Sequence, residues 1–310
     1  MGDTKPIIAV VGATGLQGGS VANALLDTGR FTVRALTRTL DSDAALALAD
    51  RGAQVVQADV YRPDDLNAAL AGAYGVFFTT FSDFPSKQPG LEVVQGKNVA
   101  DAAQRAGIKH VVFSTLPNLR QLSSGKYPHV HHFNEKAEVA AYIKSLGLPA
   151  TFMVYGYYMT NVTASPFAYR KVAVGDTEEY EFLVPVPVSS VTAVADTAGD
   201  GGRCVTHCLM NSEETVGQEY FVATEFLTYE EMARELAQAT GKVIRAVQLS
   251  PEEIAQHPVF RTDEARDMFN FFHEFGYPAE LNLDKTANTF GKLTTFREFL
   301  KREKHVALPQ

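Results

Sequence analysis

Gly12, Gly15 and Gly18 stand three residues apart in "VVGATGLQGGSVANALL", where an apolar run stops abruptly. In such a spacing the first glycine permits a tight exit from a strand, and the second lets backbone approach a pyrophosphate. The third lets a helix begin close to the sheet, with its N-terminal N–H groups and dipole facing the anion. Alone, the pattern matches many loops. Between a strand and a helix near the start of a chain it reads as a dinucleotide cradle. Folds that bind NAD usually place an acid about 20 residues further on, against the ribose 2′-hydroxyl. Here the second strand ends "LTRT", with Thr37 and Arg38. A guanidinium at that place suits a 2′-phosphate through forked, charge-assisted hydrogen bonds. NADP(H) is therefore favoured over NAD(H), with Asp41 nearby as a weak counter-indication. "ADV" closes the third strand, where Asp59 is placed to reach the adenine amino group and Val60 to pack on the ring.

The elements that must hold these groups alternate through the first half. "PIIAVVG" (6–12), "FTVRALTR" (31–38), "AQVVQADV" (53–60), "YGVFFTTF" (74–81), "KHVVFST" (109–115) and "PATFMVYG" (149–156) read as strands. Helix-like segments separate them, at 18–29, 43–52, 64–72, 89–107 and 134–147. Repeated β-α units with short connections predict an α/β fold, a Rossmann-type doubly wound parallel sheet covered on both faces. After about residue 155 the alternation breaks. The expected division is a nucleotide-binding domain over 1–154 and a smaller α+β cap over 155–310. Strands near 186–194 and 218–225 are candidates to return to the first sheet, and "GDGG" (199–202) reads as a loop.

Composition narrows the partners. The 310 residues carry 28 lysines and arginines against 36 acids, a net charge of −8. That balance argues against direct nucleic-acid binding, which needs clustered cations to displace phosphate counterions. No stretch approaches the roughly 20 apolar residues of a membrane span, so no membrane association is expected. Two cysteines, Cys204 and Cys208, suggest a reducing compartment rather than a disulfide framework. A cytoplasmic location is expected, with the nucleus open, for a monomer or homodimer.

With the glycine loop and strand ends in place, the chain resembles the NmrA-like family, an atypical branch of the short-chain dehydrogenases/reductases. "GATGLQGGSV", "QADVYRPDDL", "GAYGVFFTT", "GLEVVQGKNVADAAQRAGIKHVVFST" and "HFNEKAEVAAYIKSLGLPATFMVYGYYMTN" carry the likeness, over most of the chain. The resemblance implies that Gly12, Thr14, Gly15, Leu16, Gln17 and Gly18 contact the pyrophosphate and Arg38 the 2′-phosphate. It implies Asp59 and Val60 at the adenine, and Thr79 and Thr80 beside the central phosphates and ribose. Lys136 would reach the nicotinamide ribose, with Tyr155, Tyr158 and Asn161 lining the nicotinamide end. Some members are redox sensors or regulators of transcription; others are reductases, often of secondary metabolism.

Reduction of a carbonyl requires a proton donor for the developing alkoxide. Ordinary short-chain dehydrogenases use Tyr-x-x-x-Lys on one helix with a serine on the fifth strand. Ser114 and Lys136 occupy the serine and lysine places, but His132 stands where the tyrosine would be, and none of the twelve tyrosines has a lysine four residues later. Three readings stay open. The cofactor is bound without turnover and Lys136 is a ribose ligand; His132 or Lys136 supplies the proton; or His132 is structural. The leading expectation is a cofactor sensor whose segments around 81–90 and 117–133 respond to occupancy and present a surface to a protein partner such as a transcription factor. The competing expectation is an NADPH-dependent reductase of a small carbonyl, enone or imine, with its substrate against Phe81, Phe84, Tyr155, Tyr157 and Tyr158.

Other motifs invite blander readings. "HVHH" (129–132) reads as a loop rather than a metal site, and "CVTHC" (204–208) as buried cysteine on a helix. The aromatic block "MFNFFHEFGY" (268–277) is expected to be core of the cap before it is a docking surface.

Overall fold

The computed structural model describes residues 5–81, 84–85, 88–174, 177–303 and 305–309. Strand β1 (Ile7–Val11) is branched and apolar on both faces and buried from Ile8 onward, as a strand covered on two sides must be. It leads into α1 (Leu16–Thr28), β2 (Thr32–Thr37), α2 (Asp43–Asp50), β3 (Gln54–Gln57), α3 (Pro63–Leu70), β4 (Gly75–Thr79), α4 (Leu91–Ala106) and β5 (His110–Thr115). Then come α5 (Leu119–Leu122), α6 (His131–Ser145), β6 (Ala150–Tyr155), β7 (Tyr157–Tyr158), α7 (Met159–Thr163), β8 (Tyr169–Val174), β9 (Thr177–Val184) and β10 (Val191–Ala195). The remainder includes α8 (Gly201–Met210), α9 (Ser212–Thr215), β11 (Glu219–Val222), β12 (Glu225–Thr228), α10 (Tyr229–Thr240), β13 (Val243–Gln248), α11 (Pro251–Gln256) and α12 (Asp263–Phe275).

A seven-stranded parallel sheet runs in the order β11-β6-β5-β4-β1-β2-β3. β1 lies between β2 and β4, with Ile8 opposite Val33 on one side and Gly75 on the other. Connections reverse direction there, which opens a crevice beyond the carboxyl ends of the strands. On one face Ala9, Val11, Val76, Phe78, Val111 and Phe113 pack with Leu66, Val99 and Val139 from α3, α4 and α6. The Phe78 and Phe113 rings lie 4.6 Å apart. Helices α4 and α6 approach closely because position 96 is glycine, where a Cβ would run into both methyls of Val139.

The chain forms two units. The first contains Met1–Asn118, His132–Val154 and Thr197–Tyr220; the second contains Leu119–His131, Tyr155–Asp196 and Phe221–Gln310. The division differs from a single cut after residue 154, because the chain leaves and re-enters each unit. Of the two segments read as returning strands, β11 takes the edge of the central sheet. The other does not: β10 pairs antiparallel with β12 and parallel with β7 in a separate three-stranded sheet. Alternation along a strand fixes its faces but not its partner, so the sequence left this pairing open.

"GDGG" is a loop only in its first half: Gly199 and Asp200 lie in a turn, and α8 begins at Gly201. Asp200 caps α8, whose first two residues are Gly201 and Gly202. A Cβ at Gly202 would collide with the Ser20 carbonyl of α1. The Ser20 hydroxyl accepts from Gly202 N at 2.9 Å and donates to the Ala198 carbonyl at 2.7 Å. These glycines serve a close helix crossing rather than chain flexibility.

In the second unit Phe182, Tyr229, Phe269 and Phe296 anchor a separate core. The aromatic block contributes Phe269 to this core; Phe271 is buried apart from it, and Phe275 is exposed. Among the described residues no helix is long and apolar enough to cross a membrane.

Candidate functional site

At the exit of β1, Gly12 adopts φ 66°, a left-handed conformation that disfavours any side chain. Gly15 N donates to the Gly12 carbonyl at 2.9 Å and closes the turn. A Cβ at Gly18 would strike that same carbonyl, so the three glycines have three distinct geometric reasons. Gly15 is the N-cap of α1, and no side chain caps the helix and no acid lies in its first turn. The helix N-terminus keeps its positive end for an anion. Thr14 reaches across to Thr37, with their hydroxyl oxygens 3.4 Å apart. Leu16 is exposed and Gln17 half-buried in the first turn of α1.

Arg38, at the end of β2, is exposed and makes no ion pair with the described residues. Its guanidinium lies 5.4 Å from the centre of the Phe81 ring. Phe81, read from the sequence as a substrate-side residue, is exposed and lies against the arginine at the end of β2. Gln95 of α4 fixes it there, accepting from Phe81 N at 3.1 Å and donating to the Phe81 carbonyl at 2.8 Å. The same Gln95 amide donates to the Tyr61 hydroxyl at 2.6 Å, and Asn98 donates to the Val60 carbonyl at 3.0 Å. Asp59 accepts from Tyr61 N at 2.9 Å, so one of its oxygens is engaged within its own turn.

Beyond the carboxyl ends of β4 and β5 lies a cluster that the sequence did not reveal. Lys136 and Glu92 form an ion pair, with side chains 11% and 1% exposed. The Thr80 hydroxyl donates to the same Glu92 oxygen at 2.6 Å. Glu135, the next residue back on α6, accepts from Gly90 N at 2.7 Å and from Glu92 N at 3.1 Å. Consecutive residues of α6 thus grip the first turn of α4, one by its backbone and the other by its carboxylate. Thr115 donates to the Lys136 carbonyl at 3.1 Å and anchors α6 to β5. One signal did exist in the sequence. Glu92, Gly96, Val99 and Ala103 share the buried face of α4, and an acid on a buried face requires a partner. Nothing in the sequence named that partner.

Of the expected catalytic set, His132 and Lys136 stand one turn apart on α6 and Ser114 lies on β5. Thr115 faces Lys136, and alternation along β5 turns Ser114 to the opposite face of the sheet. Ser114 is buried there, opposite Thr79 of β4 and Met153 of β6 in register. Thr79 turns its hydroxyl to the Thr80 carbonyl at 3.2 Å. His132 lies in the first turn of α6, edge-on to Phe84 at 4.9 Å and Phe133 at 4.8 Å. His129 instead pairs with Asp267 at 2.9 Å in the second unit. Among the described residues no group of three or more histidines, cysteines or acids could hold a metal. Residues 82, 83, 86 and 87 of the segment expected to respond to occupancy lie outside the described residues.

In the second unit Tyr155 is buried, Tyr157 and Tyr158 are half-buried, and Asn161 is exposed on α7. Rings of Tyr155 and Tyr158 meet edge to face at 6.3 Å. Burial, with Tyr277 as a lesser influence, pushes the Tyr157 hydroxyl up to about 12. Cys204 and Cys208 are fully buried on α8. Burial raises both thiols, Cys204 to about 12, against a role as reactive thiolates.

Against known proteins, the model of the NmrA-like family matches residues 4–300. The NmrA-like family domain-containing oxidoreductase FrzB of Cladobotryum sp is 33% identical over 291 residues, 87% of this chain and 84% of that protein. Among solved structures, NmrA, a negative transcriptional regulator, is similar with a TM-score of 0.81 at 23% identity, covering 96% of this chain and 95% of that one. The Citrobacter sp. triphenylmethane reductase complexed with NADP(H) has a TM-score of 0.72 at 22% identity, over 96% and 99% of the two chains.

Proposed function

Because this chain belongs to the NmrA-like family, we propose that it is an oxidoreductase that uses NADPH to reduce a small carbonyl, enone or imine. The buried Lys136–Glu92 pair carries this reading. Withdrawing two charges from water costs several kcal/mol per ion, and such groups concentrate where chemistry needs a poised proton. The 33% identity to an oxidoreductase supports the same choice.

The glycine cradle, the uncapped start of α1 and the Arg38 guanidinium fit a dinucleotide carrying a 2′-phosphate. When bound, NADPH supplies a hydride. Lys136 Nζ holds the proton for the oxygen or nitrogen that gains charge in the substrate. Glu92 holds that nitrogen in an ion pair, and the Thr80 hydroxyl fixes the carboxylate oxygen it shares. His132 shapes the entrance of α6 through its rings with Phe84 and Phe133.

The test follows loss of NADPH absorbance with a broad panel of carbonyls, enones and imines. Turnover that Lys136→Ala abolishes supports the proposal. Silence across the panel, together with NADP-dependent capture of a transcription factor, would replace it with the sensor reading.

A further inference from the structure

Glu92 and Lys136 lie beyond β4 and β5, in the half of a doubly wound sheet that receives the second mononucleotide of a dinucleotide. On the reading above, that mononucleotide carries the nicotinamide. We propose that Glu92 sets which oxidation state of the nicotinamide the protein holds more tightly, by balancing the charge of Lys136.

The oxidised nicotinamide ring carries a positive charge that the reduced ring lacks. A lysine alone beside this edge would repel the oxidised form and so favour the reduced one. Ion-paired with Glu92, the lysine presents no net charge, and the preference falls back to other contacts. Thr80 holds the carboxylate at its oxygen, and Glu135 holds the backbone that carries it. Thr80 donates to the same oxygen at 2.6 Å, and Glu135 accepts from Glu92 N at 3.1 Å and from Gly90 N at 2.7 Å. Glu92 is also 1% exposed, so water screens little of its field on Lys136. Glu92 is thus a positioning residue: it acts through Lys136 and touches no reacting atom.

The experiment titrates the full-length protein with NADP+ and with NADPH at near-neutral pH and compares the ratio of the two dissociation constants. Glu92→Gln should move that ratio about tenfold toward NADPH, equivalent to about 30 mV in the potential of the bound two-electron couple. Glu92→Asp, which keeps the charge, should stay within about threefold of the parent. The double variant Glu92→Gln/Lys136→Met should return toward the parent ratio. Should Glu92→Gln fail to fold, Lys136→Met alone decides, since it removes the repelling charge and must not raise the preference for NADPH. An unchanged ratio in Glu92→Gln, or a rise toward NADPH in Lys136→Met, overturns the proposal while leaving the cofactor reading intact. A parent protein that binds neither nucleotide overturns both.

Discussion

The guanidinium of Arg38 lies over the ring of Phe81, 5.4 Å from its centre, although 43 residues separate them. Gln95 bonds both backbone groups of Phe81, so the ring is held in place from behind. The arginine is thereby aligned at the end of β2 by stacking, and no carboxylate among the described residues competes for it.

From this arrangement, Arg38→Ala should weaken NADP binding by about tenfold or more while changing NAD binding by less than about threefold. Paired fluorescence titrations check it. Equal losses for both nucleotides would refute assignment of Arg38 to the 2′-phosphate.

Gly18→Ala should abolish dinucleotide binding, since the added methyl meets the Gly12 carbonyl rather than a flexible side chain. Calorimetric titration reads the binding, and circular dichroism monitors the fold. Unaltered affinity would mean that the loop relaxes without losing its cradle.

Gly96→Ala should cost about 1–3 kcal/mol of stability, because α4 and α6 must separate to clear Val139. Adding Val139→Ala makes room for the methyl, so the pair should be less destabilised than the sum of the single changes by about 1 kcal/mol. Urea denaturation of the four proteins completes the cycle. Simple additivity would place the strain elsewhere.

His110 begins β5 with no exposed surface, and burial pushes its imidazole from the ordinary 6.5 down to about 4. Thr151 donates to the Thr215 carbonyl at 2.6 Å and so accepts from His110 Nε2, 2.8 Å away. The folded state therefore holds a neutral ring that the unfolded chain would protonate. Its contribution is intact above about pH 6.5 and is lost as pH falls toward 4, by up to about 3 kcal/mol. In His110→Asn that part of the acid slope should vanish, as measured by denaturation at stepped pH. An unchanged slope would assign the acid sensitivity to other groups.

Both cysteines should resist alkylation in the native protein and react fully in denaturant, as intact mass will show. The cause is burial, which raises both thiols and denies them access to reagent. Rapid native labelling of Cys204 or Cys208 would reveal an opening of α8.

The sequence by itself determined the β-α alternation, the glycine cradle and the arginine at the end of β2. These are legible because each depends on residues close in the chain: periodicity, a turn that only glycine permits, and a strand end a fixed distance on. The surroundings of Ser114 and Phe81 were not legible for the complementary reason. Which face of β5 a side chain occupies, and which ring an arginine meets, depend on register and packing between distant elements. β10 left the central sheet for the same reason, since its alternation suits either sheet. Only the tertiary structure decided that Lys136 is paired, because Glu92 lies 44 residues earlier in the chain and meets it only when α4 and α6 pack against Gly96. A buried charge announces that it needs a partner; the fold alone supplies one.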